Sequence, residues 1–132
     1  MREIPLTRPL ILASASPRRA ELLRLVGMPF RVLPSDYYEP PPTPAEDVAA
    51  YIGQASREKA LAVARTLPCA PVLILGADTL VLAPIAEDAA APRLRGDPVQ
   101  VMGKPRDAAE AAGMLRALSG HTHTVISAFS VL

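Results

Sequence analysis

Strands alternating with helices predict an α/β domain for this chain of 132 residues. Three observations carry that expectation. Short runs rich in Leu, Ile and Val are bounded by Pro, Gly and Ser. Between them lie longer stretches with helical spacing and recognisable start signals. Half of the residues are hydrophobic while aromatics are only 4% and tryptophan is absent, so the core must be aliphatic. The length suits one domain with a real core, and no internal repeat interrupts it.

Residues 9–13 (Pro-Leu-Ile-Leu-Ala) open the chain as a short apolar strand. Ser16 and Pro17 then suit the N-cap and first position of a helix over 17–26. Leu22, Leu23 and Val26 would form its apolar face, and Gly27 would end it. A second short strand follows at 29–33. Residues 35–42 make a polar, Pro-rich loop. Thr43-Pro44-Ala45-Glu46 reads as a capping box opening a second helix that runs to about Arg65. Pro68 and Pro71 lead into a strand over 72–82. Residues 83–100 are expected as an extended hairpin or a mobile loop, with Gly96-Asp97-Pro98 as a turn and 99–102 as the returning strand. Asp107 caps a third helix that ends near Leu118 before Ser119-Gly120, and 124–132 forms a final strand.

The charge balance restricts the function. A net charge of +1 offers no broad basic surface, so duplex nucleic acid is not an expected partner. Cys69, the one cysteine, excludes an intrachain disulfide and a Cys-based zinc site. It is expected to be a structural thiol, and a single thiol fits a reducing compartment. The opening Met1-Arg2-Glu3 leads into a stretch broken by Pro5, Arg8 and Pro9, without the long apolar core of a signal peptide. No run approaches membrane-spanning length, and the cytosol is the default expectation.

Asp78 is the most informative residue, because it interrupts an apolar run (Val-Leu-Ile-Leu-Gly-Ala-Asp-Thr-Leu-Val-Leu). A carboxylate there must find cations or donors, or keep its proton. It is either a strand-end cap of a nearby turn or the centre of a site. Arg18 and Arg19 stand in the first turn of a helix, where the dipole disfavours cations. They either point to solvent or, with Ser14, Ser16 and free backbone N–H groups, await an anion. Lys59 lies in the apolar stripe Val48, Ile52, Ala55, Val63 and Leu67, about 20° from Ile52 and about 40° from Val63. It either snorkels to the edge or reaches a buried acid or phosphate. Lys104, in Gly103-Lys104-Pro105, sits at a strand-to-helix turn. His121 and His123 lack a third ligand and read as surface residues.

Several blocks, taken in order, resemble the Maf proteins, a family of house-cleaning nucleotide pyrophosphatases. They are Leu-Ile-Leu-Ala-Ser-Ala-Ser-Pro-Arg-Arg with Glu21-Leu22-Leu23, Glu39 closing a Ser-Asp-x-x-Glu segment, Arg57-Glu58-Lys59-Ala60, Gly76-Ala77-Asp78-Thr79, Gly103-Lys104-Pro105 and Met-Leu-Arg-Ala-Leu-Ser-Gly ending at Gly120. The resemblance implies a Maf/ITPase-like fold, with a central mixed, twisted sheet flanked by helices. It implies hydrolysis of a nucleoside triphosphate between its α and β phosphates. Asp78 would then be the catalytic base, with Ser14, Arg18, Arg19, Lys59, Thr79 and Lys104 binding substrate. Glu39 and Asp78 would hold a divalent cation, Mg²⁺ or Mn²⁺. Arg18 and Thr79 match members that act on dTTP and UTP, whereas members acting on 7-methyl-GTP carry a large aromatic at the first arginine. A homodimer is the form the family suggests.

Two departures are expected to matter. The 83–100 segment is longer than the hairpin usual between the Asp and Lys blocks. The family also continues past the position of Leu132, so residues 1–132 would be a single domain making up about two-thirds of a Maf protein. Its final strand would then present an open apolar edge. Two alternatives follow: a nucleotide-binding or division-regulating protein without turnover, and an ITPase-like pyrophosphatase that chooses purines.

Overall fold

A computed structural model describes residues 5–132, so the opening Met-Arg-Glu reading lies outside the described residues. The elements are β1 (Leu10–Leu12), α1 (Pro17–Leu25), β2 (Arg31–Val32), α2 (Val48–Thr66), β3 (Leu73–Pro84), β4 (Arg93–Leu94), β5 (Asp97–Met102), α3 (Ala108–Leu118) and β6 (Thr124–Val131). The expected α/β alternation is observed. The strands form a mixed sheet in the order β2-β1-β3-β5-β4, with β6 also on β3.

Contacts divide the described chain into two compact units. One comprises the chain up to Glu39 with Gly53–Asp78 and Ala128–Leu132; the other comprises Pro40–Ile52 and Thr79–Ser127. Helix α2 and strands β3 and β6 each contribute residues to both.

In the first unit β1 runs parallel to β2 and to β3, with Ile11 opposite Arg31 and Ile74. Ile74 and Leu132 exchange both backbone hydrogen bonds, the signature of an antiparallel pair. Ile11, Ala13, Ala60, Val63 and Ile74 form the buried cluster, with Ala64, Leu67 and Val72 packed against it. Helix α1 ends in a Schellman motif: Gly27, at φ 68°, donates to the Arg24 carbonyl and Met28 donates to that of Leu23. Its expected apolar face is not buried. Leu22 and Val26 are 56% and 50% exposed, and Ala20 is the helix's buried residue. Cys69 is exposed rather than packed as a structural thiol.

The second unit corrects two boundaries. The Thr43–Glu46 box exists, since the Glu46 carboxylate accepts from the Thr43 N–H and hydroxyl. It closes a turn instead of opening the helix, because Ala45 adopts a left-handed φ of 58°. Asp47 starts α2 in its place: its Oδ1 accepts from Ala49 N–H at 2.9 Å and its carbonyl from Tyr51 N–H at 3.0 Å. The 83–100 segment is an ordered hairpin. Arg95 and Gly96, both at positive φ, make the turn, so Asp97 already belongs to β5. Arg93 organises the segment, donating to the Gly96 and Asp88 carbonyls and to Glu87 Oε1.

Helix α3 matches its sequence signals. Asp107 Oδ1 accepts from Glu110 N–H at 2.8 Å, and Glu110 returns its carboxylate to the Arg106 backbone N–H and guanidinium. These donors, the backbone N–H foremost, hold the Glu110 carboxyl below the usual carboxylate range. Its contribution to stability is therefore complete above the unfolded-state value of about 4.3 and is lost as pH falls through the folded one. Replacing Glu110 by Gln should lower Tm above about pH 5 and change it little in acid, where the carboxyl is protonated, so that the acid limb of a Tm-against-pH profile flattens; an unchanged profile would contradict this assignment.

Two glycines make a second, opposed pair of expectations. A Cβ on Gly76 would collide with the Ser56 carbonyl oxygen and come within 2.9 Å of Ala60 N, whereas one on Gly113, inside α3, meets nothing within 4 Å. Gly76→Ala should destabilise by about 3 kcal/mol or more, because backbone must move. Gly113→Ala should stabilise by about 0.5–1 kcal/mol through helix propensity. Urea denaturation of the two variants measures both signs.

Candidate active site

Alternation along β3 buries Ile74, Gly76 and Asp78 on one face and leaves Thr79 exposed on the other. The absent side chain at Gly76 lets α2 lie against the strand at Ser56 and Ala60. Lys59 is thereby delivered to Asp78. Its Nζ is 3.1 Å from Asp78 Oδ1 and 2.6 Å from Glu39 Oε2. Of the two readings of Lys59, the ammonium reaching a buried acid is the one observed.

A second cation approaches from α1. Arg19 Nη2 lies 3.9 Å from the same Asp78 oxygen, and Arg19 Nη1 donates to Ser14 Oγ at 3.0 Å. Ser14 is buried and its Oγ also accepts from Ser16 N–H at 3.2 Å. Ser16 holds the N-cap position with extended backbone, but its side chain makes no capping bond. The first serine therefore shapes the entry to α1 and aims Arg19 at the acid.

Asp78 is 9% exposed, and a carboxylate that deep is costly without compensation. The ammonium and guanidinium offset that cost, and removing one partner of such a pair is more damaging than never having had it. Lys59, Glu39, Asp78, Arg19 and Ser14 are thus one cluster in the first unit. Arg18 is exposed in the first turn of α1. Thr79 and Lys104 belong to the second unit. There Thr79 Oγ1 is 2.8 Å from Ser127 Oγ, and Lys104 is exposed between β5 and α3. His121 and His123 are exposed as expected, with His121 Nδ1 2.9 Å from the Ser119 carbonyl.

Ser56 escaped the sequence reading. It is fully buried, and its Oγ bonds to the Gly53 carbonyl and to Ser130 Oγ, both at 2.8 Å. Its signal was a hydroxyl next to Ala55 on the apolar side of α2, a position where a polar atom needs a partner.

The cluster combines a carboxylate able to take a proton, two cations able to face phosphate oxygens, and two hard oxygen donors, Glu39 and Asp78, that meet at one ammonium. Among the described residues no group of three or more His, Cys, Asp or Glu is placed to hold a metal. Two carboxylates still suit Mg²⁺, which commonly takes one or two and completes its shell with phosphate and water. Among the same residues no helix is long and apolar enough to cross a membrane.

Fold and site together define an α/β protein with an acidic centre set among cations. Residues 9–132 match the family model described as Maf-like protein, and the chain belongs to that family. It is 44% identical to a dTTP/UTP pyrophosphatase of Alcanivorax borkumensis, an alignment covering 92% of this chain and 55% of the relative. The protein of the same name from Pelotomaculum thermopropionicum is 43% identical over 93% of this chain and 56% of its own length. That of Koribacter versatilis is 47% identical over 88% and 51%. The chain thus spans about half the length of the curated relatives it matches, less than the two-thirds expected from the sequence.

A double-mutant cycle tests the cluster. Lys59→Met alone should cost about 2–4 kcal/mol of stability by stranding Asp78, and Asp78→Asn added to it should recover part of that loss. Strict additivity in chemical denaturation would mean that the two groups do not compensate one another.

Proposed function

We propose that this protein hydrolyses nucleoside triphosphates, dTTP and UTP foremost, to the monophosphate and pyrophosphate, and so clears unwanted nucleotides from the cytoplasmic pool. The observation that carries the proposal is the Asp78 carboxylate held at Lys59 and Arg19, with Ser14 fixing Arg19. The names of the relatives support the substrate class and the reaction.

In this mechanism a water oxygen attacks the α-phosphorus. Its proton passes to the Asp78 carboxylate, and the bond from the α-phosphorus to the bridging oxygen breaks, so that pyrophosphate leaves with the bond's electrons. Lys59 and Arg19 face the phosphate oxygens and offset the charge that repels an incoming nucleophile. Arg18, exposed on the same helix turn, adds a longer-range attraction, and the family resemblance also assigns Thr79 and Lys104 to substrate binding. Glu39 and Asp78 would hold a divalent cation, Mg²⁺ or Mn²⁺, which when bound neutralises phosphate charge. The ITPase-like purine alternative differs only in the base selected, and a nucleotide panel decides it.

Pyrophosphate release from dTTP and UTP, with Mg²⁺ or Mn²⁺ present, should exceed that from purine triphosphates. Asp78→Asn should lower kcat by about 10²–10⁴-fold, the range of a lost general base. Retained turnover in Asp78→Asn would remove Asp78 from that role, and nucleotide binding without any product would replace an enzyme with a binding protein.

A further inference from the structure

The two carboxylates suited to a divalent cation are bridged by the protein's own ammonium. Lys59 Nζ lies 2.6 Å from Glu39 Oε2 and 3.1 Å from Asp78 Oδ1, distances of charge-assisted hydrogen bonds to both. The side chains are 17%, 25% and 12% exposed for Lys59, Glu39 and Asp78, so the three charges sit largely out of water and interact strongly. Helix α2 fixes the Lys59 backbone through the close contact at Gly76, but the side chain above it is a flexible stem of four methylenes. Its ammonium can therefore exchange partners without any movement of the helix.

We propose that Lys59 is a resident counter-ion that keeps Glu39 and Asp78 closed to free divalent metal and yields them only when a polyphosphate draws the ammonium away. The inference rests on the metal assignment of the proposed function and adds an order to it: metal is accepted together with a triphosphate, not before it. A divalent cation arriving alone must displace an ammonium that then has no anion to go to. One arriving with a triphosphate brings phosphate oxygens that take over Lys59, so the carboxylates are released as the metal reaches them. By linkage the same coupling makes nucleotide binding depend on metal.

Two experiments test this, and neither reads turnover. Mn²⁺ binding to the chain at pH 8, followed by the electron paramagnetic resonance of free Mn²⁺, should be weak without nucleotide. In Lys59→Met it should tighten by about tenfold or more, a coupling of ordinary size. Lys59→Arg, which keeps the charge, should stay close to the parent. Equal or weaker Mn²⁺ binding in Lys59→Met would overturn the proposal, as would tight binding by the parent alone. The second experiment needs no substitution. The Nζ resonance of Lys59 in ¹⁵N-labelled parent chain should hold on adding Mg²⁺ alone and shift on adding Mg²⁺ with inorganic triphosphate. A signal moved by Mg²⁺ alone, or unmoved by the pair, also overturns it. Should Mn²⁺ binding behave as expected while no nucleotide is hydrolysed, the counter-ion stands and the enzymatic reading fails; the converse result separates them the other way.

Discussion

The close approach of α2 to β3 at Gly76 is the constraint on which the candidate site depends. Backbone meets backbone there, with the Ser56 carbonyl and Ala60 occupying the space a side chain would need. Small residues on the helix extend the fit, since Ala55, Ser56 and Ala60 are buried while Arg57 remains outside. Packing of this kind tolerates little displacement. Its consequence is electrostatic, because Lys59 stands next to Ala60 and Asp78 stands two residues beyond Gly76 on the same strand face. The glycine thus converts a packing distance into a salt-bridge distance, and the site's geometry is inherited from the fold.

Much of that was legible in the sequence, and for physical reasons. Helical and strand periods place residues on faces reliably, so Lys59 could be put on the inward side of α2 and Asp78 in a buried strand. The strand, turn and helix of 10–25 followed from an apolar triplet, two serines and a proline. Glu39 was different. It lies in a Pro-rich loop without periodicity, and only family resemblance singled it out; the structure then put its carboxylate on the same ammonium as Asp78. Loop residues reach a site through the path of the chain, which local pattern does not encode.

The misreadings have equally specific causes. Thr43 and Glu46 satisfy a capping box in hydrogen bonding, yet one backbone dihedral at Ala45 stops the helix from starting there. The start passes to Asp47, whose carbonyl and carboxylate do the capping. In α1 the apolar pattern was real, but pattern specifies a face and not its partner. Leu22, Leu25 and Val26 are exposed, as are Val125, Phe129 and Val131 along β6. For residues 83–100, a stretch rich in Ala, Pro and charge left an extended hairpin and a mobile loop both open, and the hairpin is observed. Arg93 supplies its order, through hydrogen bonds to Glu87, Asp88 and Gly96 that a composition count cannot reveal.

Charge counting around Asp78 leads one step further. Glu39 and Asp78 supply two negative charges, and Lys59 and Arg19 supply two positive ones, so the cluster is balanced at rest. Balance makes burial tolerable, because each ion is compensated by a neighbour. Within these four side chains it also leaves no surplus of positive charge for a polyanion. A triphosphate entering this cluster would strand both carboxylates as it took over their cations, unless further positive charge came with it. Arg18, exposed on α1, can offset only part of that deficit. The balance that stabilises the cluster alone is not the balance phosphate chemistry needs, and under the proposed function a cation carried in with the nucleotide would restore neutrality at the acids while the lysine and arginine would serve the phosphates.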